Sequence, residues 1–529
     1  MGVLQPCVYC FFRVLKCYQG GARVVLIFSP APAATLQLKP LHGPPAQRLA
    51  RRVAASSITM VVWRFIFIVL VGTAISACTS NIQIRDDPTP CLAIPCAESM
   101  LEIRNDPAAP FALAYVEFDD QGREFDLQQA RMLFDHMDRA AKRMPLALVT
   151  FVHGWKHNAS ADDGNVAQFR DLLTAVARFE AQQSEAQRRA VIGIYVGWRG
   201  ETIRLPLLQQ LTFWSRKNAA QRLADGSLRS LLGALRAFRD LANQRDNADG
   251  DHPWRETRMV TIGHSFGGLA VYSALAQYHI DRAAESLVRA RYFGGLPGIS
   301  PRRPDPREIP AYGDLVVIVN PAYEAARYEP VRRLLETAQT GALPGRFAAR
   351  QGPVLVQMTS VGETAFEGDW ATGLAFPIGR RLSTALQATR TDPTTGEDQR
   401  DQVEMAAGHY RPFWTHDLNR PAAPESQGAR TARTFDPGSA CRAFLAFETA
   451  ARLPDGSLEP GWQRQYLSGA VLTEAGDGRY DPLNPFWMVR AHPSIVLDHN
   501  DIVSPVFVDF VAELYGDIDR LKNPCSPSR

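Results

Sequence analysis

The chain has 529 residues, 46% of them apolar and 21% charged, an ordinary globular balance that excludes a disordered, collagen-like or coiled-coil protein. Its formal charge of +3 hides an asymmetry: residues 1–77 hold eight Lys or Arg and no acid, which leaves 50 basic against 55 acidic residues downstream, a net of −5. A body without surplus positive charge has little with which to neutralise phosphates, so nucleic acid is not expected as a partner.

Residues 1–59 read as an over-extended start, because Met60 begins a better one. Met60-Val-Val-Trp-Arg64 supplies a positive charge, Phe65 to Val71 is apolar, and Ile75-Ser76-Ala77 places small residues before Cys78. This resembles a bacterial lipoprotein signal over residues 60–77, with Cys78 as the lipidated residue. The apolar run is too short to favour a spanning helix of about 20 residues, so acyl chains on Cys78 would hold the protein to a membrane. Thr79 follows Cys78, and the absence of Asp there points to the periplasmic side of the outer membrane rather than the inner membrane. Residues 78–110 contain five prolines and read as a tether. Four cysteines remain beyond Cys78, and an even number in an exported chain suggests disulfides. Cys91 and Cys96 could close a small loop, and Cys441 and Cys525 could tie the last segment to the body.

From Phe111 the pattern changes to an α/β domain over 111–529. Residues 112–125 look like a hairpin, and 128–142 have helical spacing. Near-continuous apolar runs follow at 147–152, 190–196, 258–262, 314–320 and 353–358, with a sixth candidate at 485–490. Such strands alternating with helices predict a mainly parallel sheet covered on both faces. Two spacings exceed a plain crossover. Residues 198–256 read as a helical cap, in which Leu207, Leu211, Phe213 and Trp214 suit either an acyl chain or packing. Residues 380–480 form a second insertion rich in Pro, Gly, Thr and charge.

The chemistry centres on Gly263-His264-Ser265-Phe266-Gly267. A strand precedes it and a helix follows, so small flanking residues allow a sharp turn that lifts Ser265 Oγ above the sheet edge. A hydroxyl needs a base to become a nucleophile. Late in the chain His499 and His492 qualify; His499 precedes a closing helix and is favoured, while His492 reads as a strand-end cap. An acid is needed to orient the imidazole. Asp369 is the first choice, with Glu363 and Glu324 as alternatives. Oxyanion donors are expected from the backbone N–H groups of Phe266 and Trp155, the latter in Phe151-Val-His153-Gly154-Trp155. His153 would orient that loop, and His264, His409 and His416 read as structural. No metal set and no cofactor motif is expected: P-loop, GxGxxG and HExxH are all absent from the sequence.

With elbow, His153-Gly154 loop and late histidine in this order, the chain resembles the α/β-hydrolase superfamily, most closely its serine esterases and lipases, over roughly residues 111–515. Gly197-Trp-Arg-Gly200 and residues 369–379 resemble a bacterial lipoprotein branch. The resemblance implies a triad of Ser265, His499 and Asp369 with Trp155 and Phe266 as oxyanion donors, acting on a small-molecule or lipid ester. Asp369 lies nine positions beyond Ser360, long for an acid loop, which keeps Glu363 open. An acyltransferase or thioesterase with the same triad, or a non-catalytic envelope lipoprotein, would carry the same pattern.

Overall fold

The computed structural model describes residues 81–522 apart from 186, 204–208, 210–211, 249–255, 294–306, 340–346, 349, 362–370, 394, 421–436, 455–456, 476–479 and 501–503. The chain divides into two compact units. In the smaller, Met1–Asn81 with Glu201–Phe213, Thr212 Oγ1 donates to Gln209 O at 2.7 Å. The larger, Ile82–Gly200 with Trp214–Arg529, holds the sheet.

Its strands are β1 (Leu101–Arg104), β2 (Phe111–Phe118), β3 (Leu146–Val152), β4 (Ala190–Trp198), β5 (Arg258–His264), β6 (Leu315–Val319), β7 (Leu355–Ser360), β8 (His416–Asn419), β9 (Gln463–Gln465), β10 (Val471–Glu474) and β11 (Phe486–Ala491). They lie in the order β1-β2-β4-β3-β5-β6-β7-β11-β8-β10-β9. All pairs from β2 to β8 are parallel, while β1, β10 and β9 run antiparallel at the two edges. The protein is therefore an α/β protein with a mostly parallel mixed sheet. The central strands are apolar on alternate and opposite residues alike because both faces are covered.

The helices are α1 (Leu127–Ala141), α2 (Gly164–Ala181), α3 (Phe213–Asp225), α4 (Leu228–Ala248), α5 (Phe266–Phe293), α6 (Glu329–Gln339), α7 (Phe376–Thr384), α8 (Gln399–Glu404), α9 (Pro437–Ala451) and α10 (Pro505–Lys522). Asp126 and Asp163 cap α1 and α2 by accepting from Gln128 N and Asn165 N. On one face Tyr115, Phe151, Tyr195 and Ile262 pack under Phe169 and Leu173 of α2 and Phe507 and Phe510 of α10. On the other face α1, α4 and α5 cover β2, β3 and β5.

Three expectations change. Residues 82–104 are not a free tether. Arg85 is fully buried, Ile84 N and Arg85 N both donate to the Glu117 carboxylate, and Arg85 Nε donates to Ala159 O at 2.7 Å. Cys91 and Cys96 are disulfide-bonded, and β1 joins the sheet edge. The 112–125 hairpin shrinks to a single antiparallel bridge between Phe118 and Glu124, because β2 is drawn into parallel pairing with β4. The segment expected as a cap divides. Lys217 and Arg216 of α3 reach groups beyond the C-terminal ends of β6 and β2, whereas α4 descends to the opposite end, where Asn243 bonds Thr257 and Arg239 meets Asp314. Helix α4 is thus part of the layer over the sheet. Leu207 and Leu211 lie outside the described residues.

The second insertion supplies β8, β9 and β10, short strands that extend the sheet. Cys441 is disulfide-bonded; a pairing with Cys525 lies outside the described residues, as do Cys78 and the signal segment.

Candidate functional site

Strand order reverses between β3 and β5: β4 lies on the far side of β3, and β6 on the far side of β5. Chains leaving the C-terminal ends of two such strands diverge and leave a crevice, the usual place for a site in an open parallel sheet. Ser265 follows β5, and Trp155 lies just beyond β3. Among the described residues, three non-glycine residues adopt positive φ: Lys156 at 72°, Ser265 at 54° and Asn320 at 49°. All three stand in turns beyond the C-terminal ends of β3, β5 and β6. Each costs on the order of 1–3 kcal/mol, a strain that concentrates at functional sites.

The elbow is held by close backbone approach. A Cβ at Gly267 would collide with Val152 O, and one at Gly263 would come within 2.9 Å of Gly267 O. These glycines are required by the turn, not merely permitted. Ser265 N donates to Val319 O at 3.0 Å, and Ser265 O accepts from Leu269 N and Ala322 N. The serine backbone is therefore tied to β6 on one side and to its own helix on the other.

Ser265 Oγ lies 2.8 Å from His499 Nε2, across 234 residues of sequence. The two residues are 3% and 6% exposed, so the pair sits beneath the surface. The histidine loop is fixed through its carbonyls. His264 Nε2 lies 2.6 Å from His499 O; a carbonyl only accepts, so this nitrogen carries the proton. Asn320 Nδ2 donates to Asp498 O at 3.0 Å and to His499 O at 3.3 Å, while its Oδ1 accepts from Ser360 N. Ser360 Oγ donates to Val496 O at 2.6 Å. His264 thus positions the base through its backbone. Asn320 and Ser360 were not singled out from the sequence for this role, since no local pattern marks a side chain that bonds a carbonyl more than a hundred residues away.

His153 sits in the preceding loop. Trp198 N donates to its Nε2 at 3.0 Å, so the ring proton lies on Nδ1, which donates to Gly154 O at 2.9 Å. Burial pushes its pKa down to about 4, and the neutral ring stacks on Trp198. The loop it steadies brings Gly154 against the elbow: a Cβ there would meet Ser265 Cβ at 3.0 Å. Trp155 comes next and is buried, its ring 6.5 Å from that of Phe266, the first residue of α5. The backbone N–H groups of a helix's first turn have no intrahelical acceptor.

Asp369 and Glu363 both lie in 362–370, outside the described residues. The strand that leads to them ends at Ser360, bonded to the histidine loop itself. Glu324 is not brought to His499. Its carboxylate accepts from Lys217 Nζ at 2.8 Å and Arg327 Nε at 2.8 Å and lies 3.2 Å from Arg380. Burial alone would raise its pKa, but Lys217 and Arg327 outweigh that and hold it down to about 2. A carboxylate committed to three cations does not serve an imidazole, which corrects its standing as an alternative acid. His492 is exposed, and its Nδ1 accepts from Ser494 N at the end of β11. His416 is buried on β8 between Trp462 and Trp487, its pKa pushed down to about 3 by burial.

No protein-family model matches the chain, and no curated protein or solved structure matches it.

Proposed function

We propose that the protein is a serine hydrolase of carboxylic esters on the α/β-hydrolase fold, held at the bacterial cell envelope by acyl chains on Cys78. One observation carries the reading: a serine in left-handed backbone at a strand-to-helix turn, its Oγ 2.8 Å from the Nε2 of a buried histidine. Those are the two atoms between which a proton must move when a hydroxyl becomes a nucleophile.

Ser265 Oγ attacks the ester carbonyl as its proton passes to His499 Nε2. The tetrahedral oxyanion takes hydrogen bonds from the N–H groups of Phe266 and Trp155. Its collapse expels the alcohol, which receives the proton from His499, and water then cleaves the acyl-enzyme by the same relay. Asp369, or Glu363 in its place, accepts from His499 Nδ1 and stabilises the imidazolium. Every proton and electron pair is thus handled by side chains and backbone of the chain itself.

Hydrolysis of p-nitrophenyl esters over a series of acyl lengths tests this. Ser265→Ala should lower kcat by on the order of 10³-fold or more with the fold intact by circular dichroism. Full activity in that variant would refute the reading. Asp369→Asn and Glu363→Gln separate the acids: the true partner should cost on the order of 10⁴-fold in kcat, the other a few fold.

A further inference from the structure

Helix α7 carries an unusual outer face. Ile378, Leu382 and Leu386 recur every fourth residue and are 55%, 80% and 102% exposed. On α7 the four-residue spacing puts Ile378 and Leu382 in one stripe, and Leu386 follows in the turn just past the helix end at Thr384. The opposite side of the helix is buried through Phe376 and Thr384. Trp214 of α3 lies beside the stripe: it is 36% exposed, and its ring packs so closely on Gly379 that a Cβ there would collide with it. Exposed aliphatic residues in register, with a tryptophan at their flank, are costly in water and suited to a headgroup–acyl boundary.

Charge surrounds the stripe. Arg380 and Arg381 belong to α7, which has no acid. Around it Lys217, Arg327, Arg380, Arg381 and Arg400 share the two carboxylates Glu324 and Glu404. Within this cluster the side chains of Arg327 and Arg381 stay 37% and 71% exposed. Long cationic side chains beside an apolar face reach outward to anionic headgroups.

Placement agrees. The loop after β6, α3 and α7 meet at Glu324, at the sheet end that holds Ser265. At that same end Ile84 and Arg85 are pinned to Glu117, and Arg85 to Ala159 in the loop that contains Trp155. Cys78 precedes Ile84 by six residues, a reach of about 20 Å at full extension.

We infer that the face formed by Ile378, Leu382, Leu386 and Trp214 docks on an anionic lipid bilayer, so that the Ser265 end of the sheet is turned to the membrane. The last of these supports rests on lipidation of Cys78; the stripe and the charge do not.

The test is tryptophan quenching by bromine on the acyl chains. Full-length chain is reconstituted in phosphatidylethanolamine vesicles containing about a quarter phosphatidylglycerol, an anionic surface that basic side chains favour. The difference between wild type and Trp214→Phe reports Trp214 alone. Its emission should be strongly quenched, less so in purely zwitterionic vesicles, and not at all in Leu382→Glu/Leu386→Glu. That double variant should hydrolyse a soluble short-chain ester at the wild-type rate. Unquenched Trp214 in wild type overturns the inference, as does equal quenching in the double variant. If the double variant instead converts a dimer to a monomer in sedimentation, the face covers a second copy and the bilayer is wrong. Quenching is read without catalysis, so an inactive enzyme that still docks would refute the ester reading alone. Quenching that persists in Cys78→Ala would refute only the need for the anchor.

Discussion

Two regions share one end of the sheet and are held by different forces. The Ser265–His499 region is tied mainly by hydrogen bonds that include backbone atoms: Ser265 N to Val319 O, His264 and Asn320 to His499 O, Ser360 to Val496 O. The rim formed by α3 and α7 is joined by side-chain ion pairs converging on Glu324. Backbone ties fix atoms to tenths of an ångström, which proton transfer requires. Long cationic side chains tolerate displacement, which suits a rim that must admit a substrate to a serine only 3% exposed. The contrast separates what must be rigid from what must yield.

The sharpest way to break that contrast is at the centre of the rigid region. Ser265→Ala, His499→Ala and the double variant should each lose on the order of 10³-fold or more in kcat, with the double no worse than either single, because the pair acts as a unit. Losses that multiply would show two independent roles. Next comes Asn320→Ala, which removes the donors to the histidine loop without touching the reacting atoms. It should lower kcat by about 10–100-fold with KM within a few fold, since it disturbs alignment rather than binding. An Asn320→Ala enzyme with raised KM and unchanged kcat would place the residue in substrate binding instead.

In the rim the expected effect is on stability. Glu324→Gln leaves three cations about a neutral amide and should cost about 2 kcal/mol in urea unfolding at pH 7. The folded carboxyl titrates near 2, below its ordinary value of 4.5. Its contribution is therefore complete above about pH 4.5 and is lost as pH falls toward about 2. The gap between wild type and Glu324→Gln should narrow over that window, and a constant gap would mean that packing, not charge, sets it. The smallest effect at pH 7 concerns buried histidines that do not touch the reacting atoms. Burial holds His153 and His279 at about 4 and His416 at about 3, all below the unfolded value of 6.5. The unfolded chain then binds more protons, so stability should fall as pH drops from about 6.5 to about 3. His416→Gln should reduce that slope by about 1 kcal/mol per pH unit within the window; an unchanged slope would show that His416 does not titrate there.

Much of the fold was legible because the central strands are apolar runs bounded by glycine and helix signals, and all six such runs lie in the parallel sheet. The strands β8, β9 and β10 were not. They are three or four residues long and read His-Asp-Leu-Asn, Gln-Arg-Gln and Val-Leu-Thr-Glu, since strands near a sheet's edge need little apolar character. Helicity within 198–256 was legible, but its position was not: the apolar stripe of α4 fits a layer as well as a cap. At the candidate site, Ser265 and His499 could be picked out because a strained turn imposes glycines on its neighbours and because chain order narrows the base to the last loop. Asn320 and Ser360 could not, because a bond from a side chain to a distant carbonyl constrains only the residue that makes it. His264 was noticed only as a neighbour of the serine.

The most direct measurement is the site of covalent labelling by a fluorophosphonate probe, mapped by peptide mass spectrometry in the native, full-length protein. The expected result is one adduct on Ser265, absent after unfolding and absent in His499→Ala. No adduct, an adduct on another serine, or undiminished labelling of Ser265 without the imidazole would contradict a nucleophile made by this turn and this histidine.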